Sequence, residues 1–297
     1  MVHRVVQSPV LVGRDDILAL TERRLAAAAE GRGQLLFVAG EAGIGKTRLL
    51  DSVARGARRR SFEVVRAVAF PGDAEASGGL LLDLASDLRQ SPSSPLRDLG
   101  ELLSARLREQ PALDGDRHRQ RRLLVQDLTD AAARLGDEER PALVVFEDLH
   151  WADELSLEVI GHLATRLGAR ALLVAGAYRS DELFPRRPMR EWRARLLTQR
   201  LAEEVRLPRL TLEQTATLTS TVLGQPAPAS VVAAIHDRSD GMPLHAEELL
   251  AAVAGAAAEP DSGDIASIPV PDTLAEAVLA RARSLDGPPA SWPRRRP

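Results

Sequence analysis

Gly33-Gln34-Leu35-Leu36-Phe37-Val38-Ala39-Gly40-Glu41-Ala42-Gly43-Ile44-Gly45-Lys46-Thr47-Arg48-Leu49-Leu50 is the stretch that decides the fold. Gln34 to Ala39 is a short continuous apolar run, the pattern of a strand buried on both faces. It enters a glycine-rich turn, and beyond the turn Leu49, Leu50, Val53 and Ala57 recur on one face of a helix. Between strand and helix, Gly40-Glu41-Ala42-Gly43-Ile44-Gly45-Lys46-Thr47 satisfies G-x-x-x-x-G-K-[ST]. Glycines let successive backbone N–H groups turn inward around phosphate oxygens, and the following helix N-terminus adds partial positive charge. Lys46 reaches the β and γ phosphates, and the Thr47 hydroxyl suits Mg²⁺. Of 39 basic residues, Lys46 is the one lysine and all others are arginine. A compact ammonium survives where a planar guanidinium would not fit.

Working outward, alternating elements predict a parallel α/β sheet. Residues 1 to 14 read as extended, and Asp15 reads as the cap of a helix carrying Ile17, Leu18, Thr21 and Leu25, stopped at Gly31. Strands are expected at Phe62 to Ala69, Pro141 to Phe146 and Ala171 to Ala177, with a loop from Pro71 to Gly79. Helical stretches are expected from Leu80 to Leu107 and Arg117 to Leu135, and one capped by Asp153 with Leu155, Val159 and Leu163 inward, ended by Gly168. This gives a nucleotide-binding domain over 1–188. From 189 to 258 the pattern turns helical, at Leu212 to Leu223, Ser230 to Asp237 and Leu244 to Ala257, with a candidate final strand near 205–207. Residues 259–297 read as a Pro/Gly-rich linker, one helix at Thr273 to Leu285 and an irregular tail whose Arg294-Arg295-Arg296 is a frayed, solvated end.

Hydrolysis needs carboxylates at a strand end near the phosphates, and Leu143-Val144-Val145-Phe146-Glu147-Asp148 supplies them. Glu147 would join Thr47 in holding Mg²⁺, and Asp148 completes the acid pair. Arg179, after the next strand, stands at the same sheet edge; it suits a γ phosphate, although among so many arginines a chance placement is an equally simple account. Gly241-Met242-Pro243 by itself is a helix-start turn. His150, Asp153 and Ser156 have the residue types of a hydrolase triad but fall within seven residues without a nucleophile elbow, so structural roles are expected.

Composition excludes other classes. A net charge of −3 gives no basic field for DNA. Nine aromatic residues offer no stacking platform for single strands, and six histidines show no metal-ligand spacing. With no cysteine there are no disulfides or thiolate sites, in keeping with a cytoplasmic location. No apolar run approaches the roughly 18 residues of a membrane span, so no membrane partner is expected.

Val12-Gly13-Arg14, GEAGIGKT, VVFEDLHWAD (Val144 to Asp153), GAYRSDEL (Gly176 to Leu183) and DGMPLHAEELL (Asp240 to Leu250) together resemble the ATPase module of large LuxR-type transcriptional regulators. These belong to the signal-transducing, oligomerising (STAND) branch of AAA-like P-loop ATPases. The resemblance spans residues 8 to 285. It implies a P-loop sheet flanked by helices and followed by a helical lid, Mg²⁺ and ATP/ADP as ligands, and self-association in the ATP state. It also implies that Val12, Gly13 and Arg14 lie by the adenine, that Gly40, Glu41, Ala42, Gly43, Ile44, Gly45, Lys46 and Thr47 hold the phosphates, that Glu147 and Asp148 are the Walker B acids, that Arg179 senses the γ phosphate, and that Pro243 touches nucleotide. Glu147 stands where many relatives carry Asp, and Met242 where Asn is common. The Pro/Arg-rich ending reads as a truncation or frameshifted tail without the regulator's DNA-binding output domain, so no direct DNA binding is expected. The rivals are a non-hydrolysing nucleotide-binding scaffold, a replication-initiator-like ATPase and a small-molecule kinase.

Overall fold

The structure is a computed structural model and describes residues 8–73, 77–108, 117–137, 139–183 and 187–255. The expected linker, helix and tail beyond residue 258, and the chain start before residue 8, lie outside the described residues.

Five strands, β1 (Gln34–Gly40), β2 (Glu63–Val68), β3 (Ala142–Glu147), β4 (Leu172–Arg179) and β5 (Ala202–Arg206), form one sheet in the order β2-β3-β4-β1-β5. Every pairing is parallel. β1, β3 and β4 are buried almost end to end, as continuous apolar runs require in a sheet covered on both faces. Leu35, Phe37 and Ala39 pack into a core with residues of the helices α3 (Gly79–Arg89), α4 (Ser94–Arg108), α5 (Arg117–Ala132), α6 (Glu154–Ala164) and α7 (Arg187–Thr198). The alternate residues Leu36 and Val38 are equally buried, on the side of α1 (Asp15–Ala29) and α2 (Lys46–Arg59). The expected α/β sheet flanked by helices is therefore the observed architecture.

Several local expectations shift. The long helical stretch from Leu80 to Leu107 is two helices, because Pro92 disfavours helical geometry at Ser91 and α3 ends at Arg89. The α1 N-cap is Arg14 and not Asp15, which is already helical and places its charge in the first turn. Gly31 does terminate that helix, at φ +77. Asp153 caps α6 by accepting from the Ser156 N–H at 3.0 Å. That helix ends at Ala164, ahead of Gly168.

The described chain divides into two compact units, 14–41 with 46–207, and 8–13 with 42–45 and 208–255. The sheet unit thus runs past the expected boundary at 188: α7 packs on it, and β5 pairs with β1 from Leu35↔Ala202 to Ala39↔Arg206. β5 is an edge strand in which Ala202 alone is buried and three residues are charged, so it lacks the continuous apolar signal of its neighbours. The chain start also departs from the expected layout. Ser8 is buried, and its N–H donates to Glu247 Oε1 at 3.0 Å within the helical unit.

In that unit α8 (Leu212–Leu223), α9 (Ala229–Ser239) and α10 (Pro243–Gly255) pack through Leu218, Val231, Ile235, Ala246, Leu249 and Leu250. Thr211 and Gln214 form a reciprocal capping box at the start of α8.

Candidate functional site

The glycine-rich turn leaves the C-terminal end of β1 and closes at Lys46, the first residue of α2. Gly43 and Gly45 adopt φ +76 and +100, conformations that cost L side chains dearly. A Cβ built on Gly45 would meet no atom within 4 Å, so at this position the backbone conformation, and not crowding, calls for glycine. Lys46 Nζ donates to the carbonyls of Gly40 at 2.9 Å and Glu41 at 2.8 Å. Burial pulls the Lys46 pKa down from 10.5 to about 8, and the Arg179 charge pulls in the same direction, against Asp148, Asp181 and Glu182. Four charged groups at or beyond the β3 and β4 ends, Asp148, Arg179, Asp181 and Glu182, therefore act on Lys46.

The register explains this convergence. Gly40 pairs directly with Arg179, which sets Arg179 beside the C-terminal end of β1. β3 is not the neighbour of β1, since β4 lies between them. Thr47 nevertheless spans the gap from the first turn of α2, its Oγ1 donating to Glu147 Oε2 at 2.6 Å. The second carboxylate oxygen of Glu147 accepts from Arg66 Nη1 at 3.3 Å, and Arg66 Nη2 donates to Asp51 Oδ1 at 2.5 Å. Asp148 follows at φ +52, a left-handed conformation that Asp tolerates better than most residues, and its side chain is nearly half exposed.

Arg179 is ion-paired with Glu182. The other Glu182 oxygen lies 3.3 Å from Nε2 of the buried His150, whose Nδ1 is 3.9 Å from Asp148 Oδ1. The residues of the supposed triad separate into different tasks: Asp153 accepts from Ser156 Oγ and N and from the Gly78 N–H, while His150 turns to Glu182.

Ala42–Gly45 group with the helical unit, where the Leu244 N–H donates to the Gly43 carbonyl at 3.3 Å. Pro243 is the first residue of α10, with a φ suited to that position and no N–H to leave unpaired. Val12 packs against the helical core, and Gly13 has φ +68 with a built Cβ only 2.5 Å from the Gln214 side chain. Arg14 is buried in the sheet unit, and burial lowers its pKa.

Sequence reading missed Arg66, Asp51, Glu182 and the placement of His150. Their contacts span 15 to 81 residues or join groups with no motif spacing, so no local pattern announces them.

Among the described residues no group of three or more His, Asp or Glu forms a metal cage. A hydroxyl and a carboxylate that already meet beside a phosphate cradle fit Mg²⁺, which takes one or two protein oxygens and completes its shell with phosphate and water. Thr47 and Glu147 are the residues present for that role.

Solved structures with the same fold include the Walker-type ATPase PABY2304 of Pyrococcus abyssi, at TM-score 0.54 and 13% identity over 95% of this chain and 77% of that one. A RuvB variant of Thermotoga maritima matches at TM-score 0.50 and 14% identity over 86% and 68% of the two chains. The Aeropyrum pernix ORC1 protein, solved in complex with DNA, aligns at TM-score 0.46 and 19% identity over 94% and 66%. No curated protein sequence matches. No described helix is long and apolar enough to cross a membrane. The AAA ATPase domain matches residues 10–175, over half of the chain, and with a P-loop at the end of β1 and paired acids at the end of β3, this chain belongs to the AAA ATPase domain family.

Proposed function

We propose that this chain is an ATP-binding, slowly hydrolysing, Mg-dependent switch module of a LuxR-type transcriptional regulator. The observation that carries the ATPase part of this reading is the 2.6 Å hydrogen bond between Thr47 and Glu147, beside a lysine folded into a glycine cradle. The regulatory part rests on the ordered motifs from Val12 to Leu250. Mg²⁺ held by Thr47 and Glu147 would supply charge neutralisation for the phosphates.

The chain's own residues do the rest. Inward N–H groups of the turn and the Lys46 ammonium bind phosphate oxygens, because a compact charge in a buried site is screened little. Asp148, partly open to solvent, accepts a proton from the attacking water. Arg179 exchanges its Glu182 partner for a phosphate oxygen, so the guanidinium reports occupancy of the γ position. Two features favour a slow reaction. Glu147 has one methylene more than Asp, and its carboxylate is shared between Thr47 and Arg66. A persistent ATP state is what a switch requires.

Phosphate release from ATP by the purified chain tests the reading. Slow, Mg-dependent release that is lost in Lys46→Ala is expected, with ATP affinity weakened by about 2 kcal/mol or more. Tight ATP binding with no release would favour a nucleotide-binding scaffold, and unchanged ATP affinity in Lys46→Ala would remove the phosphate-loop assignment.

A further inference from the structure

Three hydrogen bonds link four side chains in a row at the edge of the sheet. Thr47 and Asp51 stand one turn apart on α2, Arg66 comes from β2 and Glu147 from β3. Thr47 bonds one Glu147 oxygen, Arg66 bonds the other, and Asp51 holds the far nitrogen of Arg66. The register brings them together: Val68 pairs with Glu147 and Arg66 with Val145, so Arg66 and Glu147 lie on the same face of the sheet, the face that α2 covers. We propose that Arg66, anchored by Asp51, is a positioning residue that presents a single Glu147 oxygen toward Thr47 and thereby makes the site selective for Mg²⁺ over Ca²⁺; this rests on the reading of Thr47 and Glu147 as the residues that hold the cation.

The physical argument turns on the two oxygens of one carboxylate. Ca²⁺ accepts six to eight oxygens at flexible geometry and readily takes a carboxylate through both, whereas Mg²⁺ demands near-ideal octahedral geometry and one oxygen per carboxylate. Arg66 engages Oε1 and leaves Oε2 for the Thr47 side, which hinders the two-oxygen mode that Ca²⁺ prefers. The repulsion of the cation by Arg66 is partly offset by Asp51, 2.5 Å from the guanidinium. The clamp therefore imposes direction while leaving the Glu147 charge in place. Glu147 also has the reach for this arrangement: its extra methylene lets one carboxylate touch both α2 and β2 side chains.

Outer contacts that orient a metal ligand commonly change metal affinity by about 10- to 100-fold when removed. Arg66 is about one quarter exposed, so the lower end applies. The test measures the affinity of the full chain for a fluorescent, non-hydrolysable ATP analogue with saturating Mg²⁺, with saturating Ca²⁺ and with no divalent cation. The parent should prefer the Mg²⁺ complex. In Arg66→Met that preference should fall roughly tenfold, with cation-free affinity unchanged, and Asp51→Asn should lower it by a smaller factor. Equal weakening or equal strengthening of both complexes in Arg66→Met would mean a structural pair or a plain charge, and would overturn the proposal. If Arg66→Met gives no cooperative melt, Asp51→Asn decides alone, and an unchanged preference there overturns the proposal as well. A parent with no divalent dependence would instead refute the assignment of Thr47 and Glu147, and the selectivity proposal with it.

Discussion

Raising the pH should loosen nucleotide binding through one residue, Lys46. The residue is 9% exposed, and burial together with the Arg179 charge brings its pKa to about 8. Phosphate binding requires the charged ammonium, so above that pH a proton must be taken up with the ligand. The apparent dissociation constant then scales with the inverse of the protonated fraction. That fraction is roughly three quarters at pH 7.5 and roughly one tenth at pH 9, which makes the expected loss about eightfold, or about 1.2 kcal/mol. Stability of the nucleotide-free chain runs the other way. Between about 8 and 10.5 the unfolded chain keeps a proton that the folded chain has lost, so folding becomes more favourable as pH rises through that window. Titration with a fluorescent ADP analogue from pH 7.5 to 9, beside melts of the nucleotide-free protein, reads both trends. Lys46→Met should bind weakly at every pH with a flat profile, and Arg179→Ala should move the fall to higher pH by removing a repelling charge. A flat profile in the parent, or the same slope in Lys46→Met, would refute the assignment of this proton to Lys46.

Two further outcomes are expected. Asp148→Asn should keep ATP bound while lowering single-turnover phosphate release by on the order of a hundredfold, the scale of a lost general base; equal release from mutant and parent would take Asp148 out of the reaction. Pro243→Ala should speed release of a fluorescent ADP analogue in stopped flow with little change in the melting temperature of the nucleotide-free chain, because α10 begins beside the Leu244 N–H that donates to the Gly43 carbonyl. Normal release from a destabilised mutant would leave Pro243 as a helix start and nothing more.

The sequence by itself determined what depends on neighbouring residues. Continuous apolar runs marked β1, β3 and β4 because strands buried on both faces need apolar residues at every position. The phosphate turn was legible because its chemistry lies within eight consecutive residues, and the α6 cap because Asp153 and the Ser156 N–H are three apart. What spans the sheet was decided only by the tertiary structure. Nothing in the local pattern says that β4 inserts between β1 and β3, yet that order pairs Gly40 with Arg179 and leaves Thr47 to reach Glu147 from the helix. The edge strand β5 was faint because charged residues, which protect an exposed edge, erase the apolar run that reveals a central strand. Arg66 carries no signal among so many arginines, and its role exists only because parallel pairing of β2 with β3 sets it on the face of Glu147, within reach of a carboxylate one helical turn beyond Thr47. Local motifs record which groups are available; strand order and register, set by burial of the whole sheet, decide which of them meet.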